Sequence, residues 1–140
     1  MKTRFSSLVT LKKNTLDKSE RGVQRANADL KNASDALSNS YSSLEEITPP
    51  KSGNIGELLA SRSLFASQRE IISHNKQWVE YCQNQLNQAK EQFKFDMMEH
   101  EKFKYLELQE KNKILKELKI KESKELDEIA SITFARKKYL

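Results

Sequence analysis

Glycine and proline are scarce: three glycines and two prolines serve 140 residues. A sheet domain of this length turns roughly every 8 to 12 residues and uses these two residue types to do so, which argues against strands. The single cysteine, Cys82, excludes an intramolecular disulfide and fits a reducing compartment. It is expected to pack rather than react. Long hydrophobic runs are missing as well. No stretch approaches the roughly 18 apolar residues of a membrane span, and Met1 to Phe5 lead into Ser6, Ser7 and then lysines rather than an apolar signal core. The expected location is the cytoplasm, and the Asn32-Ala33-Ser34 sequon matches the glycosylation pattern only formally. A glycine-rich phosphate loop, paired cysteines, a His-x-x-x-His spacing and a nucleophile elbow are all absent. The expectation is therefore a protein that is not an enzyme, with no catalytic residues, no metal and no cofactor.

What is present is charge and periodicity. Hydrophobic residues make up 36% and charged residues 32%, with a mean hydropathy of -0.80. A chain this polar is disordered when it also carries high net charge and no apolar pattern. Here the net charge is only +5, from 25 basic and 20 acidic residues, and leucine and isoleucine recur at regular intervals. Long amphipathic helices satisfy both facts. The basic excess is spread along the chain, apart from the small Arg136, Lys137, Lys138 cluster, and pairs such as Glu107/Lys111 and Glu117/Lys121 have helix-supporting spacing. A nucleic-acid partner is not expected, since no basic face with interleaved aromatics emerges.

The breakers gather in one place, Thr48-Pro49-Pro50-Lys51-Ser52-Gly53-Asn54-Ile55-Gly56, so a first helix over about 4–48 gives way to a hinge over 49–56. Asn54 and Glu57 form a capping-box-like pair, and no glycine or proline follows Gly56, so a second helix is expected over about 57–134. In the first segment Val9, Leu16, Val23, Leu30, Leu37 and Leu44 recur every seven residues, beside a smaller and more polar companion line running from Phe5 through Ala26 and Ser40 to Ile47. In the second, Leu58, Phe65, Ile72, Val79, Leu86 and Phe93 match it, with Ser61, Gln68, Asn75, Cys82 and Ala89 alongside. Two such seams joined by a short connection predict an all-α fold, an antiparallel two-helix coiled-coil hairpin in a single domain. Facing residue numbers then sum to about 105, with Leu44 near Ser61, Leu30 near Asn75 and Val9 near Asp96.

Two features exceed a plain hairpin. The second helix outruns the first in a long C-terminal overhang that still carries Leu115, Leu118, Leu126, Ile129, Ile132 and Phe134. After Phe93 the leucine line also changes phase, resuming at Leu108, Leu115 and Ile129, which predicts a local change of supercoil. Near the hinge, Leu64, Ile71 and Trp78 add an apolar line beside the seam, joined by Tyr41. An apolar area wider than the seam marks a partner surface, or a contact with further copies of the chain. His100, with Asp96 and Glu101, supplies too few ligands for a closed metal site and is expected on a solvated face. His74 and Trp78, one turn apart, belong to the packing surface.

The run Lys121-Glu122-Ser123-Lys124-Glu125-Leu126-Asp127-Glu128-Ile129-Ala130, followed by Phe134, Ala135 and Arg136, resembles the closing signature of the FliJ family of flagellar type III export proteins. The likeness extends to an N-terminal aromatic and leucine-rich first helix, a break about one third along, and a long charged second helix. It implies a non-catalytic, cytoplasmic component peripherally associated with the inner-membrane export apparatus, shaped like the central stalk of a rotary ATP synthase. The partners implied are the hexameric export ATPase (FliI), the export gate protein (FlhA) and export chaperones. By the resemblance, the gate-facing patch comprises Tyr41, Leu64, Gln68, Ile71 and Asn75, with Trp78 added by the apolar line; Gln68 and Asn75 stand where the family usually has apolar residues or histidine. The ATPase would meet Phe5 and Leu8 from the first helix and Leu126, Ile129, Phe134 and Arg136 from the second. The alternative is a structural coiled coil that associates with itself.

Overall fold

The computed structural model describes residues 1–51 and 53–139, so Ser52 of the expected hinge lies outside the described residues. Among the described residues the fold is all-α, with two helices, α1 (Ser6–Glu46) and α2 (Ile55–Tyr139), and no strand. Thr3 turns the chain into α1: its carbonyl accepts from the Ser6 N–H at 3.1 Å and its own N–H donates to Ser6 Oγ at 2.8 Å. At α2 the Asn54 side-chain oxygen accepts from the Glu57 N–H at 2.9 Å, satisfying one of the orphan donors of the first turn. Nothing interrupts α2 beyond Gly56, and it runs past the expected end near Phe134 to a last turn bearing Arg136, Lys137 and Lys138, where basic side chains suit the helix dipole.

The chain divides into two compact units, Met1–Thr15 with Met97–Leu140, and Leu16–Asp96. Within Leu16–Asp96 the helices run antiparallel and meet along both sequence-predicted lines. Leu16, Ala33, Ser40, Ile72, Cys82 and Leu86 are buried, and Val23, Leu30, Leu37, Phe65 and Val79 are half-buried. Ala33 and the small residues around it let the helices approach closely, at the expense of apolar area.

The register differs from the expected one by roughly one heptad. Asp96 meets Ser19 rather than Val9, and Asn75 reaches Ala36 and Ser40 rather than Leu30. A slip of seven residues keeps the same faces inward, so the apolar lines alone do not choose between alignments. The polar seam residues do. Gln68 Nε2 donates to the Ser40 carbonyl at 2.8 Å, the Asn75 amide donates to Ser40 Oγ, and Ser19 Oγ donates to Asp96, whose carboxylate also accepts from Gln92 at 3.0 Å. Among the described residues no buried side-chain nitrogen or oxygen is left without a partner, which favours this alignment.

Leu58, assigned to the seam by its spacing, is 50% exposed. The shifted register explains it: Ser40, six residues before the end of α1, is level with Gln68, so the first turns of α2 extend past α1, and Ile55, Leu58 and Leu59 are uncovered.

In the Met1–Thr15 and Met97–Leu140 unit the pairing is also antiparallel but mostly polar. Arg4 meets Glu110 at 3.7 Å, Ser6 Oγ donates to Glu107 at 3.0 Å, and Lys12 reaches Glu99 at 3.7 Å while lying over the Phe103 ring. The expected loss of phase does not occur. His100, Phe103, Glu107, Glu110 and Ile114 continue the seven-residue spacing of the seam, whereas Leu108 and Leu115 are exposed on another face. The leucine line is the more apolar one, but the seam here is built largely from polar residues.

Candidate functional site

At the hinge end of the Leu16–Asp96 unit, Leu64, Ile71 and Trp78 repeat every seven residues on one flank of the α2 seam, and all three are exposed. The Trp78 and Tyr81 rings stack with centroids 5.3 Å apart and an interplanar angle of 21°. That pairing holds two aromatic faces at the surface without burying them. Tyr81 was missed in the sequence because its position is outside the heptad lines; a spacing of three from Trp78 was the available signal. Ile55, Leu58 and Leu59 at the start of α2 are exposed too, but off this flank, since Leu58 lies on the seam line and Ile55 follows the companion line by one residue.

Two groups of the sequence-predicted patch part company here. Tyr41 follows Ser40 on α1 and faces Lys76, whose ammonium sits 5.7 Å from the ring centroid. Lys76 follows the seam residue Asn75, whereas Leu64, Ile71 and Trp78 each precede one, so Tyr41 lies on the opposite flank. Gln68 and Asn75 point into the seam, where their amides are spent on Ser40 and Ala36. The surface is therefore Leu64, Ile71, Trp78 and Tyr81 on one flank of α2.

In the other unit, Phe5 is half-buried beneath the Arg4 guanidinium, 4.9 Å from its ring centroid, and Leu8 is exposed. The last residue of α2 that is not exposed is Ile114; from Leu115 to Lys138 every residue is exposed, with Phe134 at 71%. Leu126, Ile129, Phe134 and Arg136 all belong to that stretch.

His100 and Asp96, expected on a solvated face, are 9% and 6% exposed. Each occupies a seam position of its own unit, and Asp96 is held by Ser19 and Gln92. Among the described residues no three His, Cys, Asp or Glu side chains gather as metal ligands, and no helix is long and apolar enough to cross a membrane. The one distinctly shifted group is Glu107: the Lys111 ammonium hydrogen-bonded to it at 3.1 Å, aided by the Ser6 hydroxyl and opposed by partial burial, holds its carboxyl below the usual value.

No curated protein and no solved structure matches the chain. The family model described as "Flagellar FliJ protein" matches residues 1–139. Two long helices and a break after the first third agree with that match, and the chain belongs to the FliJ family, a component of flagellar protein export.

Proposed function

We propose that this protein acts as a non-catalytic, stalk-like component that binds the hexameric export ATPase, promotes its assembly and activity, and couples it to the export gate and export chaperones. The carrying observation is the stretch from Leu115 to Lys138, which extends past the α1 contacts and keeps apolar residues that no described residue covers. Isolated apolar residues are ordinary on a protein surface, but a contiguous line over several turns marks an interaction face. Leu126, Ile129 and Phe134 would enter the ring pore, with Phe5 and Leu8 at a different depth, because the start of α1 lies level with Glu107 to Glu110. Arg136 and the neighbouring lysines would meet acidic residues at the rim, steering association more than fixing affinity.

The gate would be met by Leu64, Ile71 and Trp78, with Tyr81 stacked on Trp78. Tyr41 serves on the other flank, and Gln68 and Asn75 act by fixing the alignment behind the patch. In this role the protein works in the cytoplasm, held at the inner-membrane export apparatus through the gate. The test is deletion of residues 123–140. Stimulation of the ATPase is expected to disappear while the remaining helicity and gate binding persist; an unaltered ATPase response refutes the assignment.

A further inference from the structure

The exposed part of α2 is divided into bands of opposite charge. Residues 111–121 hold five lysines (Lys111, Lys113, Lys116, Lys119 and Lys121) against Glu117 alone, whereas residues 122–128 hold Glu122, Glu125, Asp127 and Glu128 against Lys124 alone. The balanced charge of the helix as a whole conceals this local separation. On the same stretch Leu115, Leu118, Leu126 and Ile129 fall on one side of the helix at spacings of three, eight and three residues, and all four are exposed.

We infer that this segment is a self-complementary docking surface whose occupant is the same segment of a second copy, laid antiparallel about a two-fold axis near Ile120 and Lys121. In that arrangement Leu115 of each copy lies level with Leu126 of the other, and Lys119 comes beside Glu122. Lys119 and Glu122 border the leucine side, so each chain sets its Lys119 against its partner's Glu122, twice over as a two-fold interface requires, with the rest of each basic band level with the partner's acidic band. A parallel pair would set lysine against lysine and glutamate against glutamate. An apolar strip alone would accept many partners; the banding selects an antiparallel copy. The contact covers only a few turns, so the association is weak, in the micromolar to millimolar range typical of small interfaces. It also occupies the face assigned above to the ATPase, so self-pairing and ring insertion exclude each other. The self-pairing does not depend on that assignment.

The test uses the full chain in sedimentation equilibrium, with no other protein present. The wild type is expected to show a monomer–dimer equilibrium that weakens as salt rises from about 0.05 to 0.5 M. The triple variant Lys113→Glu, Lys116→Glu, Lys119→Glu and the triple variant Glu122→Lys, Glu125→Lys, Glu128→Lys should each dimerise at least about ten-fold more weakly, and an equimolar mixture should recover the association. Circular dichroism of each variant reports whether the helix survives. For the wild type, carbodiimide cross-linking followed by peptide mapping gives a readout independent of the variants, with Lys119 joined to Glu122 between chains. A wild type that stays monomeric at every concentration overturns the proposal and leaves the face to a different protein. Dimers that both variants retain, a mixture that fails to recover, or cross-links confined to other segments would overturn it equally.

Discussion

The two units hold their helix pairs together by different means. Among the described residues eight are buried, of which seven (Leu16, Ala33, Ser40, Ile72, Cys82, Leu86 and Asp96) lie in the Leu16–Asp96 unit and one, His100, in the unit built from the chain's two ends. In the first, apolar area supplies the attraction and a few amides and hydroxyls select the alignment. In the second, lysines and arginine reach across to glutamates that remain partly in water. Apolar burial is largely insensitive to salt, whereas exposed ion pairs contribute little and are screened. One seven-residue repeat thus yields a durable clamp in one stretch and a yielding one in the other, according to which residues fill it.

The sharpest way to break this contrast is to truncate the same residue type in both settings. Leu86→Ala removes a buried seam side chain and is expected to cost about 2–5 kcal/mol in chemical denaturation. Leu115→Ala, on an exposed face, should stay within about 0.5 kcal/mol. Equal losses would mean that the leucine line through Leu108 and Leu115 is seam after all.

A smaller effect tests the alignment. Replacing both Gln68 and Asn75 with leucine should raise stability by about 1 kcal/mol while removing the polar choice between registers. Ser40 is not orphaned by the change, since its hydroxyl also donates to the Ala36 carbonyl at 2.8 Å. Spin labels at exposed Asn39 and Gln77 should report one distance in the wild type and a second one in the variant, displaced by roughly 10 Å, the rise of seven helical residues. A single unchanged distance in the variant would show that the apolar lines fix the register unaided.

Leu64→Ala with Ile71→Ala should alter stability by no more than about 0.5 kcal/mol per site, because both side chains are exposed. Binding to the export gate should weaken at the same time. Parallel loss of stability and binding would place the pair in the core.

The smallest effect is electrostatic. Because Glu107 is more acidic when folded than its usual value of 4.5, its tie to Lys111 and Ser6 is fully present above that pH and is lost as the pH falls through the lower folded value. Hydrogen exchange at the start of α1 should therefore quicken at acid pH before it does around Leu86. In Glu107→Gln that acid-dependent difference should vanish.

Much of the fold was legible because the seven-residue repeat and the breaker cluster are direct statements about backbone and burial. Both companion lines, from Phe5 to Ile47 and from Ser61 to Ala89, are indeed inward-facing. The alignment was not legible, since a heptad slip leaves hydropathy unchanged and the decision rests on hydrogen bonds between Ser40, Gln68 and Asn75 that only coordinates reveal. The continuation past Phe93 was hidden for a related reason. His100, Glu107 and Glu110 hold seam positions while leucines point elsewhere, so reading apolar residues as inward fails there. Of the hinge-end surface, Leu64, Ile71 and Trp78 could be read from their spacing. The separation of Tyr41 could be read in the same way, since it follows a seam residue where they precede one, but the exposure of Leu58 followed from the register and could not.

The polar contacts in the Leu16–Asp96 seam have a mechanical meaning. Sliding one helix past the other by a heptad would restore every apolar layer, so the apolar layers resist such motion only over part of each step. The bonds from Gln68 and Asn75 to Ser40, and from Ser19 to Asp96, must all break at the outset. They act as pins through a ratchet track: under an axial load this part of the hairpin stays rigid until the pins shear, and then it yields in steps of one heptad.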